Sequence, residues 1–217
     1  MPFEDRSSER SARRTSLKVV RKKINKLGNG YLDDSDLKAA GVNRQPMSLE
    51  ENAILPRFFA PYKGMIVPPQ DQEAINDLAD SFPRFDKLIF EDRADSAQHF
   101  VHEYIQSGIL PQDEEFPLVP QYKDWGKFGF PDLVEILGKP TWQFMTAWHM
   151  PLRNQPHIKC MLCTDIVAED RLLYSEMVSI LEIIRQRLRA RETRLHIDAP
   201  VSLPLSLSRL VFPKSCT

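Results

Sequence analysis

Apolar residues return at helical spacing near both ends of the chain. Leu17, Val20, Ile24 and Leu27 form a stripe over residues 15–27, and the opposite face is strongly basic. Leu173, Met177, Ile180, Leu181, Ile184 and Leu188 keep the same spacing, which predicts the longest helix over about residues 168–193. Between these helices the period changes to two. Residues 141–150 (TWQFMTAWHM) and 157–163 (HIKCMLC) read as strands joined by a turn around residues 153–156. Val201, Leu203, Leu205 and Leu207 alternate with Ser202, Pro204, Ser206 and Ser208. That pattern is a strand with one apolar face, and Pro204, which has no N–H to give a ladder, places it at a sheet edge.

Shorter signals fill the remainder. Residues 33–40 suit a short helix ended by Gly41, and Ser48 with Glu51 makes a capping box for a helix that Pro56 stops. Further helices are expected over residues 71–82, 97–107 and 132–137, with a short strand over residues 87–90. The fold class is α+β: a helical N-terminal half, then a small, mostly antiparallel sheet with a long amphipathic helix. The expected organisation is a disordered basic arm over residues 1–14, then a basic helix, turn and short helix over 15–47. A single α+β domain follows over 48–217.

The strand Thr141-Trp142-Gln143-Phe144, the run Trp148-His149-Met150-Pro151-Leu152, the Cys160/Cys163 strand, the long helix and Ala199-Pro200-Val201 together resemble a loose group of filamentous-fungal proteins. The similarity covers roughly the last 80 residues, and the group has no established activity, so it implies no catalytic residues. In that pattern the last strand leads into a further strand or hairpin. Here the sequence stops at Thr217, which raises the expectation of a shortened C-terminus and an unpaired edge.

Composition narrows the class. Of 217 residues, 42% are hydrophobic and 27% charged, as in globular rather than disordered chains. Three cysteines make no disulfide framework. The first residues carry no apolar signal segment and no run is long enough to span a bilayer, so a soluble cytoplasmic or nuclear protein without a membrane partner is expected. Charge is segregated. Residues 1–27 hold nine basic side chains against three acids, +6, whereas the other 190 residues hold 20 basic against 27 acidic, −7. Such an arm suits another protein or an acidic surface, with nucleic acid as an alternative, or it folds back on its own domain. The acidic body would repel a phosphate backbone.

Several motifs carry residue types suited to chemistry. Residues 25–36 (NKLGNGYLDDSD) place Gly30 sixth, Leu32 eighth and Asp33 ninth, as in a calcium loop. A neutral Asn25 comes first, Leu27 third, and the shorter acid Asp36 twelfth, so calcium binding is not expected and a hinge is. His157, Cys160 and Cys163, with His149 upstream, have metal-ligand residue types for zinc. Strand alternation, however, sends the two thiols to opposite faces. His99, His102 and Glu103 share a helical face with Asp95 and could serve acid/base or metal chemistry, against the alternative of a solvated polar face. Ser16 follows two arginines and is a candidate phosphorylation site at the start of the first helix. No cofactor is predicted.

The expected function is therefore a non-enzymatic interaction or regulatory module with a basic N-terminal arm. The alternatives are a diverged metal-dependent hydrolase or nuclease-like enzyme, and a non-specific nucleic-acid binder acting through the arm.

Overall fold

The computed structural model describes residues 6–28, 30–45, 98–99, 121–124, 133, 142–149, 156–164, 166 and 171–208. The elements expected over residues 48–56, 71–82 and 87–90 lie outside them. So do those over 97–107 and 132–137, apart from the helical Gln98 and His99 and the buried Leu133. The chain divides into two compact units, residues 1–41 with 120–217, and residues 42–119. The first unit is thus assembled from both chain ends. The cause is long-range pairing that no local pattern announces.

The α+β class holds. A four-stranded sheet has the order β2-β3-β4-β6, formed by Gln121–Asp124, Trp142–His149, Ile158–Thr164 and Val201–Ser208. The first two pairings are antiparallel, and β4 with β6 is parallel. Parallel neighbours need a crossover, and the long helix α3 (Tyr174–Arg187) lies in it. Among the described strands Val201–Ser208 lies at a sheet edge, a position that tolerates a proline such as Pro204. The inner strands break the simple alternation: Phe144 through His149 are all buried, and in β4 only Lys159 is exposed. Strands covered on both faces read as near-continuous apolar runs, which is why residues 141–150 and 157–163 are rich in Trp, Phe, Met and Cys.

The first helix, α1, runs Ser7–Asn25, eight residues earlier than the apolar stripe suggests. Residues 7–14, expected to be disordered, are its first two turns. They have little apolar content to mark them, and their anchor is a charged group, Arg10, buried against the far end of the chain. Ile24 is fully buried, whereas Leu27, at the end of the expected stripe, is exposed. α1 packs on α3 and on the short helix α2, Asp34–Ala40. α2 is well specified locally. Asp33 caps it by accepting the Asp36 N–H at 2.8 Å while Asp36 accepts the Asp33 N–H at 3.2 Å, and Gly41 closes it at φ 88°.

α3 is shorter than its apolar periodicity suggests, because residues 172 and 173 belong to a strand. β1 (Tyr31–Leu32) and β5 (Leu172–Leu173) form a two-residue antiparallel ribbon, Tyr31 opposite Leu173 and Leu32 opposite Leu172. Each strand leads straight into a helix, and each helix carries an acid that accepts a backbone N–H three residues earlier. Asp36 does this for α2, and Glu176 for α3, taking the Leu173 N–H at 2.9 Å. The ribbon is further tied by Tyr174 N–H to Gly30 O at 2.7 Å and by Arg171 over the Tyr31 ring at 3.9 Å. The acidic loop expected to be a hinge is therefore stitched to the start of α3.

Candidate functional site

The side of α3 facing α1 carries a buried carboxylate. Glu182 is fully buried and is held by Arg21 at 2.5 Å, by Arg185 at 2.9 and 2.5 Å, and by Gln186 at 2.7 Å. A lone buried carboxylate would be costly, and two guanidinium groups with an amide fill its lone pairs. One acid is thus shared between two cations from two helices.

Beyond it α3 ends, and the carbonyls of its C-cap Leu188 and of the loop that follows need donors. Arg10 supplies them. Its Nε donates to Leu188 O at 3.0 Å and its Nη2 to Leu188 O at 2.6 Å and Ala190 O at 3.0 Å. Its Nη1 donates to Thr193 O and, at 2.8 Å, to His196 O. Arg14 adds a bond to Leu188 O at 3.1 Å. A guanidinium has five donors in a rigid fork, and here the fork fills a ring of carbonyls rather than meeting a carboxylate. Burial, and then the neighbouring Arg14 charge, lower the Arg10 pKa from its ordinary value. The carbonyl dipoles keep the charge in place.

Beside this lock lies an open cleft of about 280 Å3, lined by Ser11, Arg14, Thr15 and Lys18 of α1 and by Arg185 and Arg189 at the end of α3. Among the described residues its lining holds four cations and two hydroxyl groups, with no acid and no apolar side chain. Arg14 and Arg185 already bond to Leu188 O and Glu182, whereas Lys18 and Arg189 are exposed with no acid partner among the described residues. From the cleft the cationic surface continues along α1. Ser11, Thr15, Lys18, Lys22 and Lys26 follow one another at spacings of four, three, four and four, hence along one face of α1. All five are exposed.

The candidates chosen by motif fall elsewhere. Ser16 is exposed but sits at the tenth position of α1 rather than at its start, its hydroxyl bonded to Ala12 O at 3.2 Å. A phosphate there would not meet the favourable N-terminal end of the helix dipole. His99 is exposed, and His102 and Glu103 lie outside the described residues. His149, Cys160 and Cys163 are buried and His157 is half-buried. These four are not gathered into a group able to hold a metal ion. The register puts Cys160 opposite Ala147 and Cys163 opposite Gln143, on opposite faces of β4. Burial also pushes the Cys160 thiol far up, against the thiolate that zinc requires. In the loop Asn25–Asp36, the carboxylates of Asp33 and Asp36 are engaged in capping α2.

No local motif marks the cleft, because the arginines after residue 184 read alike along the sequence. Packing gives them separate work: Arg185 meets Glu182, Arg187 is buried with its Nε 3.4 Å from Pro156 O, and Arg189 turns to the cleft. The signal that could have found it is the single-face spacing from Ser11 to Lys26. No helix among the described residues is long and apolar enough to cross a membrane. Set against known proteins, the chain matches no family model, no curated protein and no solved structure.

Proposed function

We propose that the protein is a non-enzymatic interaction module that docks an acidic segment of a protein partner along the lysine stripe of α1. The observation that carries this reading is the contrast within α1. Arg10, Arg13 and Arg21 are committed to partners in their own fold, while Lys18, Lys22 and Lys26 have none among the described residues. The stripe from Lys18 to Lys26 spans about 12 Å at 1.5 Å per residue, the reach of a short peptide. A nucleic acid would extend well past it, and the rest of the chain carries −7.

Truncation is a poor test, because α1 contributes the buried Arg10 and Ile24 to the core. Substitution on the surface is clean. A labelled, glutamate-rich twelve-residue peptide should bind the intact chain at low salt and weaken through about 0.15 M, where the Debye length is about 8 Å. Binding should be lost in the Lys18→Gln/Lys22→Gln/Lys26→Gln chain at an unchanged melting temperature. Equal binding by the triple variant, or tighter binding of a single-stranded oligonucleotide than of the peptide, would overturn the reading.

A further inference from the structure

The cleft at the N-terminal end of the stripe differs from the stripe itself. Along α1 the lysines come from one helix and face solvent, so they provide a field without a shape. In the cleft, cations approach from two helices, Arg14 and Lys18 on one wall and Arg185 and Arg189 on the other, with the hydroxyls of Ser11 and Thr15 beside them. Two features make this a place for a compact anion. The negative end of α3 is adjacent and would ordinarily repel one, but the carbonyls of its C-cap Leu188 and of Ala190 just past it already meet the positive charge of Arg10 and Arg14. The nearest buried acid, Glu182, is shared between Arg21 and Arg185, which leaves local charge positive.

The lining also excludes other ligands. Among the described lining residues there is no apolar side chain to enclose an acyl chain and no acid to hold a cation. At about 280 Å3 the cleft lies just below the range of about 300–1,000 Å3 typical of pockets enclosing cofactor-sized molecules. A tetrahedral phosphate monoester matches it: three strong acceptor oxygens and a charge near −2, suited to ammonium and guanidinium donors arriving from two helices and to the Ser11 hydroxyl, the Thr15 hydroxyl being bonded to Ser11 O.

We propose that the cleft receives the phosphate of a phosphorylated serine or threonine carried by the acidic segment that lies on the stripe. The inference rests on the docking reading and adds to it a dependence on modification of the partner. Lys18 belongs to both surfaces. Arg189 belongs to the cleft alone, and Lys22 and Lys26 to the stripe alone.

The test uses the full chain and four probes: a glutamate-rich peptide with one central serine, the same peptide phosphorylated there, O-phosphoserine, and a nucleoside monophosphate. Phosphorylation should tighten peptide binding about tenfold, in line with a phosphate gaining charge-assisted hydrogen bonds. Arg189→Gln should remove that gain and leave the affinity of the unphosphorylated peptide unchanged. Lys22→Gln/Lys26→Gln should weaken both peptides and preserve the gain. Amide resonances of Ser11 to Lys18 and of Arg185 to Arg189 should shift with O-phosphoserine. Equal affinity of the two peptides, or a tenfold gain that survives Arg189→Gln, overturns the inference and leaves the docking reading standing. Failure of the unphosphorylated peptide to bind overturns the docking reading, while O-phosphoserine then still decides the cleft. Tighter binding of the nucleoside monophosphate than of O-phosphoserine overturns the assignment to a protein partner.

Discussion

Arg10 and Lys18 stand eight residues apart on the same helix, yet one is 5% exposed and ringed by carbonyls while the other faces solvent without an acid partner. What separates them is where α3 ends. Carbonyls left over at a helix terminus make a binding site for a planar, five-donor cation, and Arg10 lies within reach of it. Lys18 lies alongside α3 near Arg185 and Arg189, where the neighbours are themselves cations. A basic segment is therefore not one functional unit. Part of it is internal structure, and only the remainder is available to a partner.

The largest effect should come from breaking the buried side of that contrast. Arg10→Ala leaves the carbonyls of Leu188, Ala190, Thr193 and His196 short of a donor and should destabilise the fold by about 3 kcal/mol in denaturant unfolding. Arg10→Lys should recover less than half, since an ammonium cannot reproduce the fork. Glu182→Gln should cost about 2–3 kcal/mol by leaving Arg21 and Arg185 without their shared carboxylate. Leu173→Ala opens a cavity where β5 meets β1 and should cost about 2–3 kcal/mol.

The exposed side should respond differently. Replacing Lys18, Lys22 and Lys26 by Gln should change stability by less than about 0.5 kcal/mol, so any loss of peptide binding reads directly as surface chemistry. A stability loss comparable to that of Arg10→Ala would erase the distinction between the two halves of α1. The smallest effect concerns Asp33, whose carboxyl is held below its ordinary pKa by the Ser35 hydroxyl and then by the Asp36 N–H. A lowered folded pKa means stabilisation that is present above the ordinary carboxylate range and is lost as pH falls through the folded value. Asp33→Asn keeps a cap and should flatten that acid-side slope in unfolding experiments stepped down in pH.

Much of the fold was legible in the pattern. The three long strands and α2 fall within a residue or so of where periodicity and capping residues put them, because those elements are specified by their own sequence: alternating or continuous apolar runs, Asp33 at the cap, Gly41 at the close. The start of α1 was not legible, since its anchor is an arginine whose partners are 177 or more residues away. The ribbon of β1 and β5 was hidden for the same reason. Two residues carry no periodicity, and Tyr31 and Leu173 become a pair only once the chain ends meet.

The sequence by itself determined the α+β class, the positions of the main strands and the separation of basic from acidic charge, all of which follow from short-range spacing and composition. Only the tertiary structure decided which cations are partners of the fold and which are left for another molecule. The physical reason is that a charge is defined by what surrounds it: the same side-chain type becomes a buried cap beside orphan carbonyls, a bridge beside a carboxylate, or a docking contact where the neighbours are cations and water.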